Sequence, residues 1–174
     1  MRHEELDNLR WLLGDDARAW LEKFADCAQP SPAAAAQLRR DLSTERARLV
    51  LEQVALRQRA KAKFADAAGM FFTLRGLEQA TDDRTAAYKA SRFSMPGPVV
   101  DLCCGIGGDM QALSRRATVL GIDRDRQVAL RAAANCRQAM IAVADATSVA
   151  VEAAAAWHLD PDRRAAGRRT TQIA

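Results

Sequence analysis

Two hydrophobic patterns divide this chain. From Glu4 to Phe64 the apolar positions recur three and four apart, the period of amphipathic helices. Glu4–Leu13 and Asp15–Cys27 carry it first, with Leu6, Leu9, Leu12 and Leu13 on one face. Gln29-Pro30-Ser31-Pro32 interrupts it. Ser31 can cap the next helix, Ala33–Leu42, with Pro32 in its first turn. Ser43 or Thr44 can cap a long helix that runs through Lys63 and contains Leu49, Val50, Val54 and Leu56. Thr81-Asp82-Asp83 starts a further helix, Arg84–Arg92, where acids in the first turn suit the helix dipole. Met95-Pro96-Gly97-Pro98 ends that segment, and no internal repeat is present.

From Val99 the pattern changes to short apolar runs that end in an acid. Val99–Asp109 reads VVDLCCGIGGD, with Asp101 at the end of its run. Ala117–Asp125 ends its run at Asp123, Met140–Thr147 at Asp145, and Trp157–Arg164 at Asp160. The intervals Asp109–Arg116, Asp125–Cys136 and Ser148–Ala156 are long enough for crossover helices. Alternating strands and helices predict an α/β fold with a parallel sheet, preceded by an all-helical module. The expected organisation is a helical module over 1–64, a connector helix region over 65–97 and a sheet domain over 98–174. Ligands of such sheets bind outside the carboxyl ends of the strands, so the four acids are expected along one edge.

The glycine cluster Gly105, Gly107 and Gly108 follows the first run directly. Backbone without Cβ atoms can approach a ribose or phosphate, and a helix from Met110 would point amides at the ligand. Two nucleotide ligands compete for this turn. A nicotinamide dinucleotide wants a third glycine where Met110 stands, and Asp101 would repel its pyrophosphate. S-adenosylmethionine (SAM) has no phosphate and carries an ammonium and a sulfonium, which Asp101 can attract. Asp123 can accept both ribose hydroxyls and Asp145 the adenine amino group. Local alternatives remain for each acid. Asp101 can cap turn amides, Asp123 can cap the helix from Gln127, and Asp145 in Asp-Ala-Thr-Ser can be a plain N-cap. Asp109 either caps the first crossover helix or meets the ligand's methionine end.

These residues, DLCCGIGGD, GIDRD, VADAT and LDPDRR in order, resemble the motif set of class I SAM-dependent methyltransferases. With Met70–Phe93 they are similar to the bacterial methyltransferases that carry a THUMP-like domain, and more distantly to the trimethylguanosine synthase group. The resemblance extends from Leu49 to Thr171. It implies a Rossmann-like core of which only the N-terminal half is present, so the chain reads as the front of a longer protein. It also implies SAM as cofactor, held by Asp101, Cys103, Gly105, Gly107, Gly108, Asp109, Asp123 and Asp145, with Thr73 lining the pocket. Cys103 stands where the commonest form has glycine. Asp160 and Pro161 match the Asn/Asp-Pro-Pro-aromatic motif of amino-directed nucleic-acid methyltransferases. Asp162 and Arg163 replace its second proline and its aromatic. Asp160 would hold the acceptor and Arg163 would stack on a base. The catalytic set is then Asp160, Pro161 and Arg163.

Composition adds a substrate class. The net charge is only +4, but Arg39 to Lys63 holds eight Lys and Arg residues against three acids. Arg163, Arg164, Arg168 and Arg169 form a second cluster. Basic groups beside a methyl-transfer site suit RNA, although a solvated helix face is the better account of the first cluster taken alone, and Arg163 and Arg164 can equally pair with Asp160 and Asp162. The expected activity is SAM-dependent methyl transfer to RNA. The alternatives are a SAM- or RNA-binding fragment without catalysis and a dinucleotide-dependent oxidoreductase. Four cysteines without a CxxC pair, and two distant histidines, support neither zinc nor a disulfide framework. They read as reduced thiols of a cytoplasmic protein. No apolar run is long enough for a membrane span, and the N-terminus lacks a signal-peptide pattern.

Overall fold

The computed structural model describes residues 3–25, 27 and 30–161, which divide into two compact units at Glu78 and Gln79. The first unit is helical: α1 (His3–Leu13), α2 (Asp15–Lys23), α3 (Pro32–Asp41), α4 (Thr44–Ala60) and α5 (Leu74–Gln79). Local signals set the starts. The Ser31 side chain accepts the Ala34 amide at the head of α3, with Pro32 in the first turn, and Ser43 accepts the Arg46 amide at the head of α4. Leu6, Leu9 and Leu12 of α1, Leu21 of α2, Leu38 of α3 and Val50 and Val54 of α4 are all buried. Gln53 of α4 is buried too. Its amide donates to the Phe72 carbonyl at 2.6 Å and accepts the Phe72 N–H at 2.9 Å. Arg57 donates to the Met70 carbonyl, and burial pulls its pKa down to about 10. These two side chains satisfy backbone groups of the irregular segment Met70–Thr73, which has no sheet partner among the described residues.

The second unit is an α/β sheet domain. It contains α6 (Asp83–Ser91), β1 (Val99–Leu102), α7 (Gly108–Ser114), β2 (Val119–Asp123), α8 (Arg126–Asn135), β3 (Met140–Val143) and β4 (Ala156–Leu159). The four strands are all parallel, in the order β3-β2-β1-β4. One face of the sheet, through Val99 and Val119, packs on Ala86 and Ala90 of α6, Met110 and Leu113 of α7, and Ala132 of α8. Gly121 in β2 is needed for that closeness. A Cβ there would stand 2.6 Å from the Met110 sulfur and 2.9 Å from Ile141 Cδ1.

The other face corrects one expectation. Ser148–Ala156 is not a crossover helix; it holds only the end of a single 3-10 turn, Ala146–Ser148, and irregular chain. The chain must pass from β3 at one edge, over β2 and β1, to β4. Three strand spacings are about 14 Å, and the segment has few residues with which to climb back as well. An extended path covers about twice the distance per residue that a helix does. Val149 and Val151 therefore lie against Val100, Leu102 and Ile122 in place of a helix. Among the described residues no helix is long and apolar enough to cross a membrane.

Candidate functional site

The strand order places a topological switch point between β1 and β4, because the chain moves outward from β1 through β3 and then returns to β1's other side. The glycine turn leaves β1 at this point. Cys103 takes a left-handed conformation, φ 62°, unusual for a side chain other than glycine. Gly105 (φ 57°) and Gly107 (φ 89°) continue the turn. A Cβ on Gly105 would meet nothing within 4 Å, so the turn borders open space there. Gly108 instead serves packing, since its Cβ would lie 3.0 Å from the Thr81 carbonyl oxygen.

Asp123, at the end of β2, secures the turn from outside. Its Oδ2 accepts the Gly105 N–H at 3.1 Å, and its Oδ1 accepts the Asp125 N–H at 2.9 Å. The cap of α8 is Asp125, which accepts the Gln127 and Val128 amides. Asp145 follows β3 and caps the short 3-10 turn. Its carboxylate accepts the Thr147 hydroxyl at 2.6 Å and amide at 2.9 Å, and these bonds hold its pKa below the ordinary range. Asp101, Asp123 and Asp145 surround Cys103 closely enough that, after burial, their negative charges help push its thiol pKa upward.

Asp101 is 1% exposed. It is the register partner of His158 on β4, and His158 Nδ1 lies 3.0 Å from its Oδ1. Burial raises the Asp101 carboxyl, while the hydrogen bond from His158 opposes that. The same bond raises the His158 imidazole above its usual value, against its own desolvation. The second oxygen, Oδ2, is buried and has no hydrogen-bond partner among the described residues.

A second network adjoins the first. Lys89 of α6 donates to Asp160 Oδ2 at 2.7 Å, to Asp109 Oδ2 at 2.9 Å and to the Thr81 hydroxyl at 2.8 Å. Thr81 in turn donates to Asp109. Burial works against the Lys89 charge, but the hydrogen bonds to Asp160 and Asp109 outweigh it and raise the pKa. Asp109 therefore does not cap α7, whose N-cap is Gly107 without a side-chain bond. Its other oxygen, Oδ1, is a further buried atom without a partner among the described residues.

Asp101, the glycine turn, Asp109, Asp123, Asp145 and Asp160 thus share the carboxyl edge of one sheet. Thr73 belongs to the first unit, where its hydroxyl accepts the Gly76 amide at the head of α5. Pro161 is exposed, and Arg163 and the rest of its arginine cluster lie outside the described residues. Sequence reasoning missed Lys89 and His158. The usable signal for His158 was its place in the apolar run that becomes β4, two residues before Asp160. Among the described residues no group of three or more His, Cys, Asp or Glu side chains is arranged to hold a metal.

The basic cluster of the first unit is mostly engaged internally. Arg48 binds Glu45 and Glu52, Arg46 reaches Asn8, Arg57 and Lys63 donate to backbone carbonyls, and Arg59 pairs with Glu78.

Residues 5–60 match a protein family described as a domain of unknown function (DUF8688). No curated protein matches the chain. Over 82% of its length the chain is similar, at 24% identity and a TM-score of 0.58, to a crystal structure described as "putative methyltransferase from Porphyromonas gingivalis W83". The chain spans 35% of that structure's length. The likeness establishes the fold: a Rossmann-like α/β sheet preceded by helices.

Proposed function

We propose that this chain carries the SAM-binding part of a methyltransferase that acts on RNA by direct methyl transfer, of the THUMP-like group that its motifs resemble. The observation that carries the reading is the grouping of Asp101, the Gly105 turn and Asp123 at the carboxyl ends of β1 and β2, beside the switch point, with open space over Gly105. The residues fit the cofactor. The open side of Gly105 admits a ribose, Asp123 keeps lone pairs for its hydroxyls, and the buried Asp101 Oδ2 lacks a donor that an ammonium would supply. Bound there, SAM supplies a methyl group already activated by its sulfonium.

The chain's own contribution is position and charge. Asp101 and Asp123 hold the cationic end and the ribose. Asp145, an exposed carboxylate held by Thr147, would accept the adenine amino group. Asp160 receives the acceptor. Asp160 would take the proton that the acceptor loses, after exchanging its bond to Lys89.

The test is calorimetric titration of SAM into the full chain and into Asp123→Ala and Gly105→Val. Saturable binding, weakened at least tenfold by both substitutions, is expected. Equal affinity in all three removes the site. NADH binding without SAM binding transfers the site to a dinucleotide oxidoreductase. SAM binding without methyl transfer to total RNA leaves a binding module.

A further inference from the structure

The internal pairing of the α4 cations leaves the RNA reading without a described surface. Helix α6 provides one. Arg84, Tyr88 and Arg92 stand four residues apart in succession, so they form a single row along the helix. All three are exposed, and Tyr88, at 70%, is the most exposed of the large hydrophobic side chains. Neither guanidinium pairs with a carboxylate among the described residues. Asp82, at the start of the helix, is turned to its own amides as the N-cap. The opposite face of α6 is anchored, with Ala86 and Ala90 in the core. Lys89, next to Tyr88, holds Asp160 at 2.7 Å.

We propose that the row Arg84–Tyr88–Arg92 is a docking strip for single-stranded RNA, which leads the strand to Asp160. The inference rests on the methyltransferase reading for its purpose, but its chemistry is that of the row itself. Eight residues of helix span about 12 Å, roughly the reach of two nucleotides of extended strand. Two positive charges that far apart suit phosphates two nucleotides apart along the strand. An exposed phenol ring between them offers a face on which one base can stack, as aromatic rings do in sequence-tolerant single-strand binding. A duplex keeps its bases stacked on one another and gains nothing from the ring. The strip therefore selects a strand with free bases.

The experiment is fluorescence anisotropy of a labelled twelve-nucleotide RNA, single-stranded or as a duplex, with the full chain, Tyr88→Ala and the double variant R84A/R92A. The wild type should prefer the single strand. Tyr88→Ala should weaken that binding about tenfold, consistent with loss of one stacked base. R84A/R92A should flatten the dependence of log affinity on log salt by about 0.7 for each lost phosphate contact. Unchanged melting temperatures would show that both variants are folded. No binding by the wild type, equal affinity for the duplex, or wild-type affinity in both variants overturns the proposal. SAM calorimetry on the same wild-type sample separates the two readings. Binding of RNA without SAM removes the methyltransferase reading and keeps the strip, and SAM binding without RNA binding does the reverse.

Discussion

His158 on β4 and Asp101 on β1 are paired across neighbouring strands, with Nδ1 of the imidazole 3.0 Å from a carboxylate that is almost completely enclosed. The pair connects the last described strand to the centre of the sheet, so its titration is coupled to folding. His158 titrates above its ordinary value of 6.5 because of the hydrogen bond to Asp101, despite desolvation. A raised folded-state pKa means that the native state holds the proton more tightly than the unfolded chain. The stabilisation is therefore complete below pH 6.5 and is lost as pH climbs through the higher native value. Thermal melts between pH 6 and 8 should show stability falling as pH rises. His158→Gln should flatten that profile. An identical slope in the variant would assign the effect to other groups.

Lys89 connects three partners, and its loss should separate activity from ligand affinity. Lys89→Met leaves Asp109 and Asp160 without their cation, beside a carboxylate that is already short of a donor. The ammonium is partly exposed, so the stability cost should be about 1–2 kcal/mol, below that of a fully buried pair. Under the proposed function, methyl transfer should fall at least tenfold while SAM affinity changes little. Lys89→Arg should restore part of the rate. A parallel loss of SAM binding would show that the lysine serves the cofactor instead.

Two glycines predict opposite outcomes. Gly121→Ala puts a methyl group 2.6 Å from the Met110 sulfur and should destabilise by about 1–3 kcal/mol through overpacking. Gly105→Ala meets no atom, and its left-handed backbone costs about 1–2 kcal/mol. The first variant should lose melting temperature in proportion to the strain. The second should stay folded and weaken SAM. Denaturant unfolding and calorimetry on the pair decide this. Full SAM affinity in Gly105→Ala would mean that the open space is not the ligand's.

In the first unit, Gln53 is the residue to remove. Gln53→Ala strands the Phe72 N–H and carbonyl, both buried, and should cost about 2–4 kcal/mol. Gln53→Glu keeps an acceptor for the amide but loses the donor to the carbonyl, and should be comparably harmful. Urea unfolding of the full chain measures both. A loss under half a kcal/mol would show that Met70–Thr73 is held by packing alone.

Much of the site was legible because its pieces are local. Acid-terminated apolar runs become strands in any context that buries them, and Asp101, Asp123 and Asp145 sit at or just beyond the ends of β1, β2 and β3. Caps were legible for the same reason: Ser31 and Asp82 bond to amides within three residues. The cap of α8 is Asp125, which leaves Asp123 free of the capping role that the sequence offers as its alternative, since both are acids before one helix. Only the turn at Gly105 shows which of them is already engaged. Ser148–Ala156 is long enough for a crossover helix, but the distance it must cross to reach β4 disfavours one.

The sequence alone determined which stretches could be strand or helix, where chain reversal needed glycine, and that carboxylates would line one edge of the sheet. These follow from backbone sterics and from a side-chain period that each segment carries within itself. Folding in three dimensions decided that β4 lies beside β1, that His158 meets Asp101 across 57 residues, and that Lys89 bridges to Asp160 across 71. Such contacts depend on strand order and register, which are set by the apolar surface that all segments bury together.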